Sequence, residues 1–259
     1  MTIKLINLFI DEKPSKVPLG YTLMQSCAHV GIDVPKFCYH DKLLIAGNCR
    51  ICLVELTGSK KLLASCAVHA SDNTYVYTNT ARVKLARQNV LEFLLANHPL
   101  DCPICDQGGE CDLQDITAVF GADRGRFYES AKRAVLNKDF GPLIRTSMNR
   151  CIHCTRCVRF LSFSSGLSVL GTLGRGTSTE IGAYVDKFLH DELSGNITDL
   201  CPVGALTSKP YSFKVRPWEL VSSEGLDVFD ALNSTLTVDV AANKICRVLP
   251  YANELTNSG

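Results

Sequence analysis

Residues 98 to 111, His98-Pro-Leu-Asp-Cys102-Pro-Ile-Cys105-Asp-Gln-Gly-Gly-Glu-Cys111, place one imidazole and three thiols within reach of a single metal centre. A set of four cysteines precedes them (Cys38, Cys49, Cys52, Cys66) and another follows (Cys151, Cys154, Cys157, Cys201). Twelve ligands thus fall into three groups of four, an arrangement that points to electrons moving between centres.

In the first group the gaps are ten, two and thirteen residues. The close pair Cys49 and Cys52 brackets one metal, and the two distant thiols complete the cage. Plant-type [2Fe–2S] ferredoxins use the same order of ligands with a shorter first gap and a much longer last one. A zinc ribbon would use the same four thiols. In the third group, Cys151, Cys154 and Cys157 have the spacing of a bacterial [4Fe–4S] run, and Cys201-Pro202 suits its distant fourth ligand. A second cubane on that plan would need cysteines where Leu161, Asp191, Ser194 and Ile197 stand, so one cluster on a two-cluster plan is expected, with zinc the alternative.

The central group, His98, Cys102, Cys105 and Cys111, is also a common structural zinc set. Its neighbours argue for a redox centre, because zinc has no accessible redox change and would interrupt a chain of clusters. A neutral imidazole in place of a thiolate makes the centre one charge less negative, which by itself raises its potential.

The elements that must position these ligands can be read in outline. Residues 3 to 10 read as a strand, Asp11 to Ser15 as a turn and Lys16 to Leu19 as a returning strand. A helix capped by Thr22 and stopped by Gly31 follows. Residues 51 to 56 and 62 to 66 read as strands, and two hairpins around one helix suggest a β-grasp arrangement. Thr80 to Asn97 is the strongest helix, apolar at Val83, Ala86, Val90, Leu91, Leu94 and Leu95, and it delivers His98 before Pro99 ends it. Residues 112 to 140 look helical and irregular by turns, with Arg124 and Arg126 on a solvated face. Short strands and turns are expected over 166 to 182, a helix-like piece over Tyr184 to Leu193, and a strand over Ser234 to Val240.

The 259 residues, 46% of them hydrophobic, suffice for a large core or for two to three small ones. Lys plus Arg (27) nearly cancel Asp plus Glu (26), which removes any overall field drawing the chain to nucleic acid or an anionic membrane. Thirteen cysteines with no export signal at Met1 suit metal binding in a reduced compartment. No stretch approaches a bilayer span, the longest apolar pieces resembling Val90 to Ala96. Cys27 and Cys246 belong to no group and read as free thiols; His29, His40, His69, His153 and His190 lack convergent partners in sequence. Gly171, Gly174 and Gly176 do not make a dinucleotide fingerprint, and no phosphate loop or nucleophile motif appears.

The runs Phe37-Cys-Tyr-His40 with Ala46-Gly-Asn-Cys-Arg50, Asn97 to Asp115, Arg150-Cys-Ile-His-Cys-Thr-Arg-Cys-Val-Arg159, Asp199-Leu-Cys-Pro-Val-Gly-Ala-Leu-Thr-Ser-Lys-Pro-Tyr211 and Arg216-Pro-Trp-Glu-Leu220 closely resemble the large iron–sulfur subunit of respiratory complex I, NADH:ubiquinone oxidoreductase. The resemblance covers nearly the whole chain. It implies an α+β protein: a β-grasp [2Fe–2S] ferredoxin-like domain (1–79), a helical His/Cys₃ cluster domain (80–140), a bacterial-ferredoxin-like [4Fe–4S] domain (141–218), and the truncated start of a molybdopterin-oxidoreductase-like domain (219–259). It further implies one [2Fe–2S] cluster on Cys38, Cys49, Cys52 and Cys66, and two [4Fe–4S] clusters, on His98, Cys102, Cys105 and Cys111 and on Cys151, Cys154, Cys157 and Cys201. Electrons would enter from a flavin-bearing NADH-oxidising subunit and leave toward quinone-proximal subunits, with no bond chemistry and no membrane span on this chain.

That family usually continues into a long further domain, so a separately encoded chain is expected to supply it. With only Cys246 in the tail, no additional cluster is expected there. The resemblance implies the matrix side of the mitochondrial inner membrane, or the cytoplasmic side of a bacterial membrane. The electron-transfer subunit of NAD-reducing hydrogenases is the nearest rival family, and a zinc-stabilised interaction module is the alternative without redox chemistry.

Overall fold

The computed structural model describes residues 4–128, 131–164, 166, 169–183, 189, 191–251 and 253. Strand β1 (Leu5–Ile10) alternates outward and inward residues, turning Ile6, Leu8 and Ile10 into the core, and pairs antiparallel with β2 (Lys13–Pro18). The turn between them is tighter than residues 11 to 15. Asp11 and Glu12 both adopt positive φ (47° and 70°), as the favoured two-residue hairpin turns require, and Lys13 already belongs to the strand. The Asp11 carboxylate fixes the corner by accepting from the Thr78 backbone N–H (2.7 Å) and hydroxyl (2.5 Å).

Thr22 caps α1 (Leu23–His29) in a reciprocal box with Gln25: its hydroxyl accepts from the Gln25 N–H, and the Gln25 side chain accepts from the Thr22 N–H. After the loop bearing the first cysteines come β3 (Leu53–Leu56), β4 (Leu63–Ala64) and a strand unforeseen from sequence, β5 (Thr74–Tyr77). Four residues leave little room for an alternating pattern, yet β5 is central. It runs parallel to β1 and antiparallel to β3, closing a sheet of order β2-β1-β5-β3-β4. The sheet and α1 bury Leu8, Ile10, Val17, Leu23, Met24, Val54 and Val76, which is the β-grasp arrangement expected of two hairpins around a helix.

Helix α2 (Ala81–Ala96) starts at the Thr80 cap, buries Val83, Arg87 and Leu91, and stops at Asn97. The buried Arg87 donates to the Leu53 carbonyl (3.1 Å) and lies over the Phe120 ring, tying α2 both to β3 and to α3 (Asp112–Phe120). Residues 121 to 128 and 131 to 140 carry no helix or strand.

Next follow β6 (Ile144–Thr146), α4 (Arg156–Ser164), β7 (Leu170–Leu173), β8 (Glu180–Ala183), α5 (Asn196–Leu200) and β9 (Leu206–Ser208). β7 pairs with β8, and β6 with β9 near the two ends of this region. Of the helix expected over 184 to 193, residues 184–188 and 190 lie outside the described residues; 192 to 195 form a turn, and the helix begins at Asn196. In the tail, the expected strand is the middle of three: β10 (Val221–Leu226), β11 (Thr235–Ala241) and β12 (Lys244–Pro250) form an antiparallel sheet. Among the described residues no helix is long and apolar enough to cross a membrane.

Candidate metal centres

The sulfurs of the first group lie near one another, though they are not drawn in around a single ion. The Cys38 N–H donates to the Cys49 sulfur at 3.5 Å. The Cys38 sulfur lies near those of Cys49 and Cys66, and the Cys66 sulfur near that of Cys52, close enough for each to sway its neighbour's acidity. Sharing protons splits their acidities: the Cys38 thiol is held far below the usual range by Cys49 and Cys66, while Cys49 and Cys66 are pushed up. Arg50, at φ 61°, makes the sharp bend that lets Cys49 and Cys52 face one point.

The third group surrounds a cavity. Cys151, Cys154, Cys157 and Cys201 line a largely enclosed space of about 20 Å³ together with Met148, Ile152, Ile181, Val203 and Leu206. Burial pushes the Cys151 and Cys201 thiols up to about 11 and Cys154 to about 12. Backbone N–H groups of His153, Arg156 and Val158 are aimed at the sulfurs of Cys151, Cys154 and Cys157, and those of Ala205 and Leu206 at Cys201. Four thiols around an apolar void offer a water molecule almost nothing to bond. They suit a cationic, sulfur-seeking group that would hold them as thiolates, with N–H groups already in place to tune it.

In the central group, α2 ends at Asn97 and delivers His98, and a 3₁₀ turn over Cys102–Ile104 starts the ligand loop. Burial, helped by the Arg150 charge, holds the His98 imidazole down at about 4, leaving it neutral and its lone pair free at pH 7. Cys105 and Cys111 are buried and Cys102 is exposed. N–H groups of Leu113 and Gln114, at the start of α3, point to the Cys111 sulfur. Among the described residues, no three His, Cys, Asp or Glu side chains converge as ligands of a single metal ion do.

The central loop is gripped from the C-terminal side. Arg216 donates to the carbonyls of Cys105 (2.5 Å) and Pro103, and the Phe213 N–H donates to Asp106 (2.7 Å). Gly109, at φ 98°, lies against Trp218 so closely that a Cβ would come within 2.9 Å of the indole. Arg247, from β12, pairs with Glu110. Sequence spacing gave no hint of these supports, although Arg216 and Trp218 stand within the Arg-Pro-Trp-Glu run.

The three groups also meet. One apolar core contains Cys38, Cys111 and Cys154 with Phe37, Ile51, Leu91, Leu113, Ile152, Val203 and Ala205, and Cys49, Cys151 and Cys201 pack against it. Cys111 donates to the Pro202 carbonyl at 3.7 Å, beside Cys201, and a Cβ on Gly204 would stand 2.2 Å from the Cys105 sulfur. The Asn48 amide donates to the His153 carbonyl (2.8 Å), linking first loop to third. The third group, last along the chain, therefore contacts both others.

Arginines recur at ligand carbonyls: Arg133 at Cys151 (2.8 Å), Arg159 at Cys38 and Cys154, Arg216 at Cys105. Arg133 also reaches the ring of His153 (2.9 Å), so that histidine is a strut under the third cage. Cys27 is fully buried, its thiol pushed to about 12 by burial, and Cys246 donates to the Lys244 carbonyl (3.5 Å). His190 lies outside the described residues.

Family profiles match three parts of the chain: a 2Fe-2S iron-sulfur cluster binding domain over residues 4–81, the NADH-ubiquinone oxidoreductase-G iron-sulfur binding region over 87–126, and the NADH-quinone oxidoreductase subunit 3 ferredoxin-like domain over 141–207. With the cages above, they define an iron–sulfur protein built from 2Fe-2S and 4Fe-4S ferredoxin-like domains. The NADH-ubiquinone oxidoreductase 75 kDa subunit of Reclinomonas americana is 58% identical over 98% of this chain and 36% of its own length, and the mitochondrial NADH dehydrogenase [ubiquinone] iron-sulfur protein 1 of Solanum tuberosum is 55% identical over 97% and 34%. Nearly the whole chain is thus similar to part of this NADH-ubiquinone oxidoreductase subunit. It spans about a third of the length of these relatives. Among solved structures, a chain of the NAD+-reducing [NiFe]-hydrogenase in the H2-reduced state superposes with a TM-score of 0.72 at 27% identity, over 81% of this chain and 90% of that one.

Proposed function

We propose that this chain relays electrons within the peripheral arm of NADH:ubiquinone oxidoreductase. One [2Fe–2S] cluster would be held by Cys38, Cys49, Cys52 and Cys66, and two [4Fe–4S] clusters by His98, Cys102, Cys105 and Cys111 and by Cys151, Cys154, Cys157 and Cys201. Such clusters, when bound, each take up and release one electron. The observation that carries the reading is the single apolar core shared by cysteines of all three groups. Separate zinc sites need no such contact, whereas electron carriers need short, dry separations. The protein's residues exclude water around the sulfurs, aim N–H groups at them and set the spacing between cages.

The donor is then a flavin-bearing NADH-oxidising subunit and the acceptors are quinone-proximal subunits. The tail sheet, with Val221, Leu226, Ile245 and Val248 exposed, is the surface against which a further domain, on this or a separate chain, would pack as a molybdopterin-oxidoreductase-like unit. The mitochondrial names of the relatives favour a mitochondrial location, and the reading places the chain on the matrix face of the inner membrane.

Low-temperature EPR with metal analysis during stepwise reduction of the purified complex tests this. About ten iron atoms on this chain, from one two-iron and two four-iron clusters, are expected. About six iron atoms with one zinc would reassign the His98 group to structure, and zinc alone would remove the electron-relay reading. The likeness to the hydrogenase chain favours a second reading, an electron-transfer subunit of an NAD-reducing hydrogenase. A nickel-containing subunit copurifying with the chain would establish it.

A further inference from the structure

Helix α4 begins two residues after Cys154, and Arg156 and Arg159, three apart, share a face. That face meets the first ligand loop. Arg156, buried, donates to the carbonyls of Tyr39 (2.9 Å) and Leu200 (3.3 Å), with Asp112 near enough (3.7 Å) to offset its charge. Arg159 is bonded differently. Its Nη2 donates to the carbonyls of both Cys38 and Cys154 (the latter 3.3 Å), its Nη1 to that of Leu44, and its Nε to the Thr155 hydroxyl (3.3 Å). Among the described residues it forms no ion pair. One guanidinium therefore joins a ligand residue of the first cage to a ligand residue of the third, and its charge is left uncompensated between them.

We propose that Arg159 is a positioning residue shared by these two centres: it fixes their separation, and its charge raises the reduction potential of both. The inference rests on both cages holding iron–sulfur clusters. Reduction makes each cage one charge more negative, and a fixed cation close by in a partly dry site favours that state. The fork of donors is equally specific. An ammonium keeps the charge as a compact point but cannot span carbonyls on two segments in the same fixed plane.

The test is a redox titration followed by EPR on the assembled complex carrying Arg159→Gln or Arg159→Lys. Arg159→Gln is expected to lower the potentials of the first and third centres together, on the order of tenfold in reduced-to-oxidised ratio at fixed ambient potential, about 59 mV for a one-electron centre, with the His98 centre unmoved. Arg159→Lys is expected to keep the potentials near wild type while altering the spin–spin interaction between the two signals. Unchanged potentials in Arg159→Gln, or a shift confined to one centre, would overturn the proposal. Should Arg159→Gln lose its iron, Arg159→Lys decides, since wild-type spin–spin interaction there would overturn the positioning role. Absence of both signals from the wild-type complex would instead remove the underlying reading of the cages.

Discussion

Arg247 on β12 grips the Glu110 carboxylate with both terminal nitrogens, each 2.8 Å from an oxygen, one residue before Cys111. Its Nε donates to Asp239 (2.6 Å), and its guanidinium lies over the Tyr211 ring at 4.7 Å. A sheet that bears no ligand of its own thus holds the central ligand loop.

Replacing Arg247 with Met would leave the Asp239 carboxylate, 3% exposed, without its cation. A loss of about 3 kcal/mol is expected from that stranded charge. Chemical denaturation would measure it, and Arg247→Met with Asp239→Asn should recover part of the loss. Equal stability of the single and double variants would show that the clamp matters only for loop geometry.

Changing His98 to Ala should remove about four of ten iron atoms by the proposed cluster counts, leaving the signals of the other two centres. His98→Cys should restore the iron with one more negative charge on the centre, and so a lower potential. Full iron content in His98→Ala, by metal analysis, would exclude the imidazole as a ligand.

Acid should weaken the iron-free chain through the same residue. The folded imidazole sits at about 4, below its ordinary 6.5, so the unfolded chain binds the extra proton first. Its contribution is complete above pH 6.5 and is lost as pH falls from there through 4. Urea midpoints at pH 7 and pH 4.5 should differ more in the wild type than in His98→Asn.

Gly204→Ala should disrupt the contact between central and third cages, because the new Cβ would stand 2.2 Å from the Cys105 sulfur. The cost is steric, and at least 1–3 kcal/mol is expected as for overpacking a core. Gly195→Ala is the control, its Cβ meeting nothing nearer than Leu143 at 4.0 Å. EPR of the central centre should change in the first variant and not in the second.

Local chemistry made much of this legible in sequence. Thr22 and Thr80 cap helices because a hydroxyl beside an apolar repeat can do little else as well, and the spacing of Cys38, Cys49, Cys52 and Cys66 singled out side chains that the fold brings near one another. What stayed hidden was long-range. β5 is too short to show a period, and its place beside β1 depends on a crossover that no local pattern encodes. Arg133, Arg159, Arg216 and Arg247 act on residues far away in the chain, and an arginine's partner carbonyl leaves no mark in sequence. The contact of the third cage with both others depends on Val203, Gly204 and Ala205, small residues whose types alone say nothing.

The core shared by the three cysteine groups has a consequence for how the protein is made. Val203 and Ala205, which follow the last ligand, share that core with Phe37 and Ile51 beside the first ones. A ribosome releases those early cysteines long before the segment that covers them. The first group is therefore left uncovered on that side until the segment carrying Val203 and Ala205 has emerged, so its closing waits on residues beyond the last ligand group rather than on its own domain.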